Sequence, residues 1–216
     1  MELATTIFGY LAPIFTVLLF APQSYRVWKN KDASSLSRIA FMVTYMGSFL
    51  WLVYGSLTDH YPSAYTTLGT GIFMLPIIHY LFRKNKAGYI FMISLIVLSY
   101  VFFFTCVIIN SKNPIVIPEW SRVVIVMVGS TITAFAWLPQ LVKIIKTKDV
   151  KSMSITSVSL IILSQVFWVI WFALLIVDDS SASLYVSLIN SAIPIFIAAA
   201  IIVFILKYGK LNKTIA

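Results

Sequence analysis

The sequence predicts an all-α membrane protein: seven transmembrane helices arranged as two parallel three-helix repeats joined by an inverting linker helix. Three observations carry this. The 216 residues are 60% hydrophobic and only 11% charged, whereas a soluble domain carries about 25% charged residues. A chain this poor in charge cannot cover its apolar surface with polar groups, so its solvent has to be lipid. Second, the segment 22–37, PQSYRVWKNKDASSLS, returns as 139–154, PQLVKIIKTKDVKSMS, with 7 of 16 positions identical at an offset of 117. Third, 14 of the 16 basic residues fall in alternate connections between apolar stretches.

A helix that crosses a bilayer needs about 20 mainly apolar residues. Seven stretches qualify, at about 5–28, 39–57, 64–82, 88–109, 123–145, 155–177 and 184–206. They are continuously apolar, not alternating, which favours helices over a barrel, and they leave no room for a soluble domain of useful size. Glu2 precedes the first stretch without a basic flank, which argues against a cleaved signal peptide. The lone cysteine, Cys106, allows no intrachain disulfide and no cysteine metal cluster; it reads as a small packing or lipid-facing residue. No cofactor or metal is implied. The spans contain no acid pair, no histidine cluster and no serine nucleophile with a base in reach, so an enzyme is not expected.

The net charge of +9 follows the membrane and does not form a nucleic-acid patch. Arg26, Lys29, Lys31 and Arg38 lie between spans one and two; Arg83, Lys84 and Lys86 between three and four; Lys143, Lys146, Lys148 and Lys151 between five and six; Lys207, Lys210 and Lys213 in the tail. All of these fall on one side of a seven-span chain. The positive-inside rule then places the N-terminus outside and the C-terminus in the cytosol of a plasma membrane.

The repeat organises the rest. Pro22-Gln23 and Pro139-Gln140 sit before the basic exits of spans one and five. A proline there frees a backbone carbonyl and weakens the helix, and its recurrence marks a hinge. Ser35, Ser37, Ser152 and Ser154 can cap the helices that follow. Trp51 in span two and Trp168 in span six are 117 apart and lie deeper than the interfacial Trp28 and Trp120. They either pack within the bundle or face each other across a pseudo-two-fold axis. In the second case their flat apolar faces suit the C–H face of a pyranose, with hydroxyls seeking polar groups at the rim. Aligning Tyr65 with Tyr185 sets Thr70 of span three opposite Asn190 of span seven; an uncharged polar group there either glues helices or meets a substrate, and an amide both donates and accepts. Gly69 and Gly71 would let backbones approach closely. Span four has no partner in the repeat. Two three-span units in tandem would point opposite ways, and one extra span makes them parallel. The expected division is residues 1–86, a linker at 87–117, and residues 118–216.

The chain resembles the SWEET and SemiSWEET sugar transporters of the wider PQ-loop group over nearly its whole length, through Pro22-Gln23, Pro139-Gln140, the Lys/Ser-rich exits, Leu50-Trp51-Leu52-Val53-Tyr54-Gly55 and the Asn190 segment. The resemblance implies facilitated diffusion of a mono- or disaccharide by alternating access. It implies a substrate site at Trp51, Trp168 and Asn190, with Thr70 where the family has asparagine and with Gly47 and Ser164 one turn before the tryptophans. An outer gate is implied at Tyr54 with Asp59, matched by Trp171 with Asp178, and helices rocking at Pro22-Gln23 and Pro139-Gln140. The implied partners are a sugar, the bilayer and a homo-oligomer of unspecified number, and no nucleic acid. Rival readings are a proton-coupled amino-acid carrier of the same group and a non-transporting receptor on the same fold. The first needs an ionisable group within the membrane, and none of the seven acidic residues lies inside an expected span. His79, near the inner end of span three, reads as packing or interfacial.

Overall fold

The computed structural model describes residues 2–58, 61–112, 115–178 and 182–214, without the side chains of residues 2, 178, 182 and 210–214. All regular structure among them is helical: α1 (Glu2–Leu18), α2 (Phe20–Asn30), α3 (Arg38–Leu57), α4 (Tyr61–Phe82), α5 (Lys86–Asn110), α6 (Glu119–Phe135), α7 (Leu138–Thr147), α8 (Ile155–Asp178) and α9 (Ala182–Thr214). Taken as α1–α2, α3, α4, α5, α6–α7, α8 and α9, they make seven helical spans long and apolar enough to cross a bilayer. Large apolar side chains such as Phe104, Phe196 and Val203 are exposed on the outside of the bundle, a surface that only lipid makes tolerable. The chain is a multi-pass membrane protein.

Spans one and five are each broken in two, and proline dictates where. Its ring clashes with the carbonyl four residues earlier and its nitrogen donates no hydrogen bond. Four residues before Pro22 is Leu18, where α1 ends; four before Pro139 is Phe135, where α6 ends. The break therefore lies on the N-terminal side of each proline, at Leu19 and at Ala136–Trp137. The two basic exits then end alike, on Lys31 (φ 52°) and Lys148 (φ 53°) in the left-handed region.

The two repeats are built the same way. In the first, α4 packs against α1, α2 and α3; in the second, α9 packs against α6, α7 and α8. Between repeats α1 meets α8 and α3 meets α6, the same contact after exchanging repeats. The linker α5 packs on α3 and α4. Cys106 of α5 is buried, so it packs and does not face lipid.

The α3–α6 crossing depends on Gly47. A Cβ there would lie 2.6 Å from Thr133 Cγ2, 3.0 Å from Ile132 Cγ2 and 3.3 Å from the Thr133 backbone nitrogen. Gly47 thus serves the close approach of α3 to α6. Gly47→Ala is expected to cost about 1–3 kcal/mol by overpacking, seen as a lowered unfolding temperature in detergent. Gly209→Ala, with nothing within 4 Å, is the matched control. Gly69 and Gly71 make room for side chains, Val17 and the Tyr45 hydroxyl respectively, and not for another backbone as expected.

Candidate functional site: a two-fold chamber above a closed basic end

Between the repeats lies a chamber of about 100 Å³, several times the roughly 10–15 Å³ that one water needs. Its lining follows the 117-residue offset. Twinned polar or mixed positions are Thr16/Thr133, Ser48/Gln165 and Thr44/Ile161; twinned apolar ones are Phe20/Trp137, Leu19/Ala136 and Trp51/Trp168. The third helices add Ser63, Thr66 and Thr67 from α4 and Asn190, Ser191 and Pro194 from α9. Among the described residues the lining holds no ionisable side chain.

Helical spacing explains who faces inward. On α8 the chamber stripe runs Ile161, Gln165, Trp168, Phe172, in steps of four, three and four; on α3 it runs Thr44, Ser48, Trp51. Trp51 and Trp168 meet with ring centroids 6.2 Å apart and planes at 28°, inside the range of direct aromatic contact. The Trp168 indole donates to Thr16 Oγ1 at 2.9 Å. Phe172 stacks on Trp168 at 5.7 Å and tilts against Trp51 at 6.3 Å. Asn190 donates from Nδ2 to Ser130 Oγ (3.0 Å) and Thr131 Oγ1 (3.1 Å) on α6. At the other end of the chamber Phe20 and Trp137 stack at 6.4 Å.

Three expected residues, Trp51, Trp168 and Asn190, therefore share the chamber. Two do not line it. Ser164 falls off the α8 stripe beside Gln165 and is fully buried, its hydroxyl turned back to the Ile161 carbonyl at 3.3 Å. Thr70 lies one turn beyond Thr66 and Thr67, toward the basic end, where Tyr45 and Met74 fill the core; it is fully buried and its hydroxyl has no partner. Thr66 and Thr67 hold the position toward the chamber that the Tyr65/Tyr185 alignment gave to Thr70. Of the expected outer gate, Tyr54 stands edge-on to Trp51 at 6.0 Å. Trp171 is buried edge-on to Trp168 at 5.3 Å and against Gly9 of α1. Asp59 lies outside the described residues, as does the side chain of Asp178. His79 packs edge-on to Tyr80 at 5.0 Å. Phe172, Gln165, Thr16 and Thr133 were missed by sequence reading. The offset that pairs the tryptophans also pairs Thr16 with Thr133, and helical spacing from Trp168 reaches Phe172, but the same spacing reaches Ser164 and Gln165 alike.

The end bearing the basic loops is closed by a reciprocal clamp. Gln23 donates to the Ser152 carbonyl (2.6 Å) and accepts from the Ser154 amide (2.8 Å). Its twin Gln140 donates to the Ser35 carbonyl (3.0 Å) and accepts from the Ser37 amide (2.6 Å). Both glutamine side chains are buried. Arg26 donates to the Lys151 carbonyl at 2.8 Å, and Lys143 to the twin carbonyl of Ser34 and to that of Leu36. The serine pairs divide their work. Ser37 and Ser154 cap α3 and α8, accepting from Ala40 and Ser157 at 3.3 Å. Ser35 and Ser152 instead join the repeats, the Ser35 hydroxyl accepting from the Ser152 amide at 2.8 Å; capping alone does not account for them.

Asp32 adds one asymmetric bond, accepting from the Ser152 hydroxyl at 2.8 Å. Partial burial would raise its carboxyl pKa. The Ser34 amide, the hydroxyls of Ser152 and Ser34 and the charge of Arg83 outweigh that and hold it below the usual value. A depressed carboxylate stabilises fully above the unfolded value, near pH 4, and loses that contribution as pH falls through the lower folded value. The gap in unfolding temperature between the native chain and Asp32→Asn is therefore expected to stay constant from about pH 8 to about pH 5 and to close below about pH 4.

The PQ loop repeat model matches residues 4–64 and 123–181, one stretch in each repeat. An uncharacterised protein of Methanocaldococcus jannaschii is 34% identical over 86 residues, which are 39% of this chain and 91% of that protein. The sugar transporter SemiSWEET of Leptospira biflexa is 33% identical over 72 residues, 33% of this chain and 85% of the relative. That of Bradyrhizobium diazoefficiens is 37% identical over 54 residues, 25% of this chain and 63% of the relative. The matches to the first two cover most of each relative with 39% and 33% of this chain. With more than half of its residues matched in two separate stretches, the chain belongs to the PQ loop repeat family.

Proposed function

We propose that the protein carries a small neutral solute, a mono- or disaccharide, across a plasma membrane by facilitated diffusion. Its N-terminus lies outside and the basic loops lie in the cytosol. The observation that carries this reading is the uncharged, indole-walled chamber on the repeat axis, supported by similarity to relatives named sugar transporters. Trp51, Trp168 and Asn190 serve the substrate; Thr16, Ser48, Gln165 and Thr133 add hydroxyls and an amide around it. The indoles touch in this state, so they part to admit a ring. Tyr54 and Trp171, beside them, belong to the outer gate with Asp59 and Asp178. Residues 1–86 and 118–216 rock against each other at the two breaks, with 87–117 holding them parallel. The inner clamp is shut here, and opening it breaks the four glutamine hydrogen bonds together. A proton-coupled carrier would need an ionisable group at this depth, and the described lining offers none.

A screen of unfolding temperature in detergent tests the assignment, since a ligand at about 100 times its Kd stabilises by about 2.7 kcal/mol. The expected result is a rise with one or more mono- or disaccharides and none with amino acids. A rise with amino acids alone would contradict it.

A further inference from the structure

The geometry points to a binding site for the phosphate-bearing headgroup of an anionic phospholipid in a cleft at the basic end of the first repeat. An open cleft of about 570 Å³ lies between the α2–α3 loop, the end of α4 and α7. Four cations converge on it: Arg38, Arg83, Lys84 and Lys143. The single carboxylate there, Asp32, is already taken by the Ser34 amide and hydroxyl and the Ser152 hydroxyl. Arg38 is steered into place by donating from Nε to the Leu81 carbonyl at 3.0 Å.

The general excess of basic residues on one membrane face does not explain this cluster, and the repeat supplies an internal control. Lys29, Lys31 and Arg26 have basic twins in Lys146, Lys148 and Lys143. The cleft's other cations do not. The twin of Arg38 is Ile155. The Tyr65/Tyr185 alignment of α4 with α9 puts Val203 and Phe204 where Arg83 and Lys84 stand. Among the described residues, the second repeat carries no basic side chain at the positions of Arg38, Arg83 and Lys84.

A lipid source is favoured over a free anion by the cleft's edge. Ile39, 62% exposed, lines it together with Tyr80 and Leu81, an apolar flank for a glycerol backbone and the start of an acyl chain beside cations suited to its phosphate. The same α2–α3 loop carries the carbonyls and amides that Gln140 and Lys143 hold. A headgroup seated here rests on the element that moves when the inner end opens.

The test is native mass spectrometry of the full chain released from detergent containing equal amounts of phosphatidylglycerol and phosphatidylcholine. The expected result is retention of one phosphatidylglycerol in preference to phosphatidylcholine. The exposed pair Arg83→Gln/Lys84→Gln should lower that retention on the order of tenfold. Lys29→Gln/Lys146→Gln, which removes two cations from the same membrane face outside the cleft, should leave it unchanged. Equal retention of both lipids, full retention by the cleft variant, or an equal loss in both variants would overturn the proposal. Displacement of the lipid by millimolar inorganic phosphate would assign the site to a soluble anion and overturn the lipid source.

Discussion

Replacing both clamp glutamines, Gln23→Ala with Gln140→Ala, should open the basic end of the chamber. Each side chain satisfies one carbonyl and one amide of the opposite repeat, and both are buried. Truncation leaves those groups unpaired while the basic end is shut, whereas water can solvate them once it is open. An orphaned buried polar group costs about 1–3 kcal/mol. About 2 kcal/mol per glutamine is roughly a 30-fold change in the closed-to-open ratio for each single variant. The double variant should shift further, though less than additively where the two halves of the clamp share one movement. A cysteine at the chamber wall reports this: Thr44→Cys in a Cys106→Ser background, labelled by a charged thiol reagent from the basic side. Labelling should accelerate in the order single, then double. An unfolding curve on the same samples separates opening from loss of fold, and an unchanged labelling rate in a folded double variant would refute the clamp.

Trp168→Ala has the other large expected effect. This side chain closes on Trp51, Trp171 and Phe172 and is held by Thr16. Removing a partly buried indole forfeits about 2–3 kcal/mol of apolar and ring contact, roughly 30- to 150-fold in sugar flux if those contacts pass to the substrate. Trp168→Phe keeps a ring and loses the donor, so it should fall between the native protein and alanine. Thr16→Val removes the acceptor alone and should resemble the phenylalanine variant. Flux unaffected by Trp168→Ala in a folded protein would remove the tryptophan pair from the site.

Much of this was legible in the sequence because two signals act over long distances. Apolar run length does not depend on how helices pack, so seven spans were countable. The 117-residue offset is blind to environment, so it paired Trp51 with Trp168 and Gln23 with Gln140 without a structure. What escaped was angular. Ser164 and Gln165 are neighbours in sequence but about 100° apart on a helix, and only the packing of α8 decides which sees the chamber. Thr70 against Thr66 and Thr67 is a difference along the axis: the Tyr65/Tyr185 alignment pairs Thr70 with Asn190, but only the packing of α4 decides that Thr66 and Thr67, one turn earlier, line the chamber. The glutamines were read as part of a hinge because bonds such as Gln140 to Ser35 join residues 105 apart, beyond any local pattern.

Counterflow in liposomes is the decisive experiment for sugar uniport through the chamber. Vesicles holding the purified protein are loaded with an unlabelled sugar selected by the stability screen and diluted into a trace of the same sugar, labelled. Transient accumulation of label is expected, surviving collapse of the proton gradient with an ionophore. No accumulation with any mono- or disaccharide that stabilises the protein, or accumulation abolished by the ionophore, would contradict it.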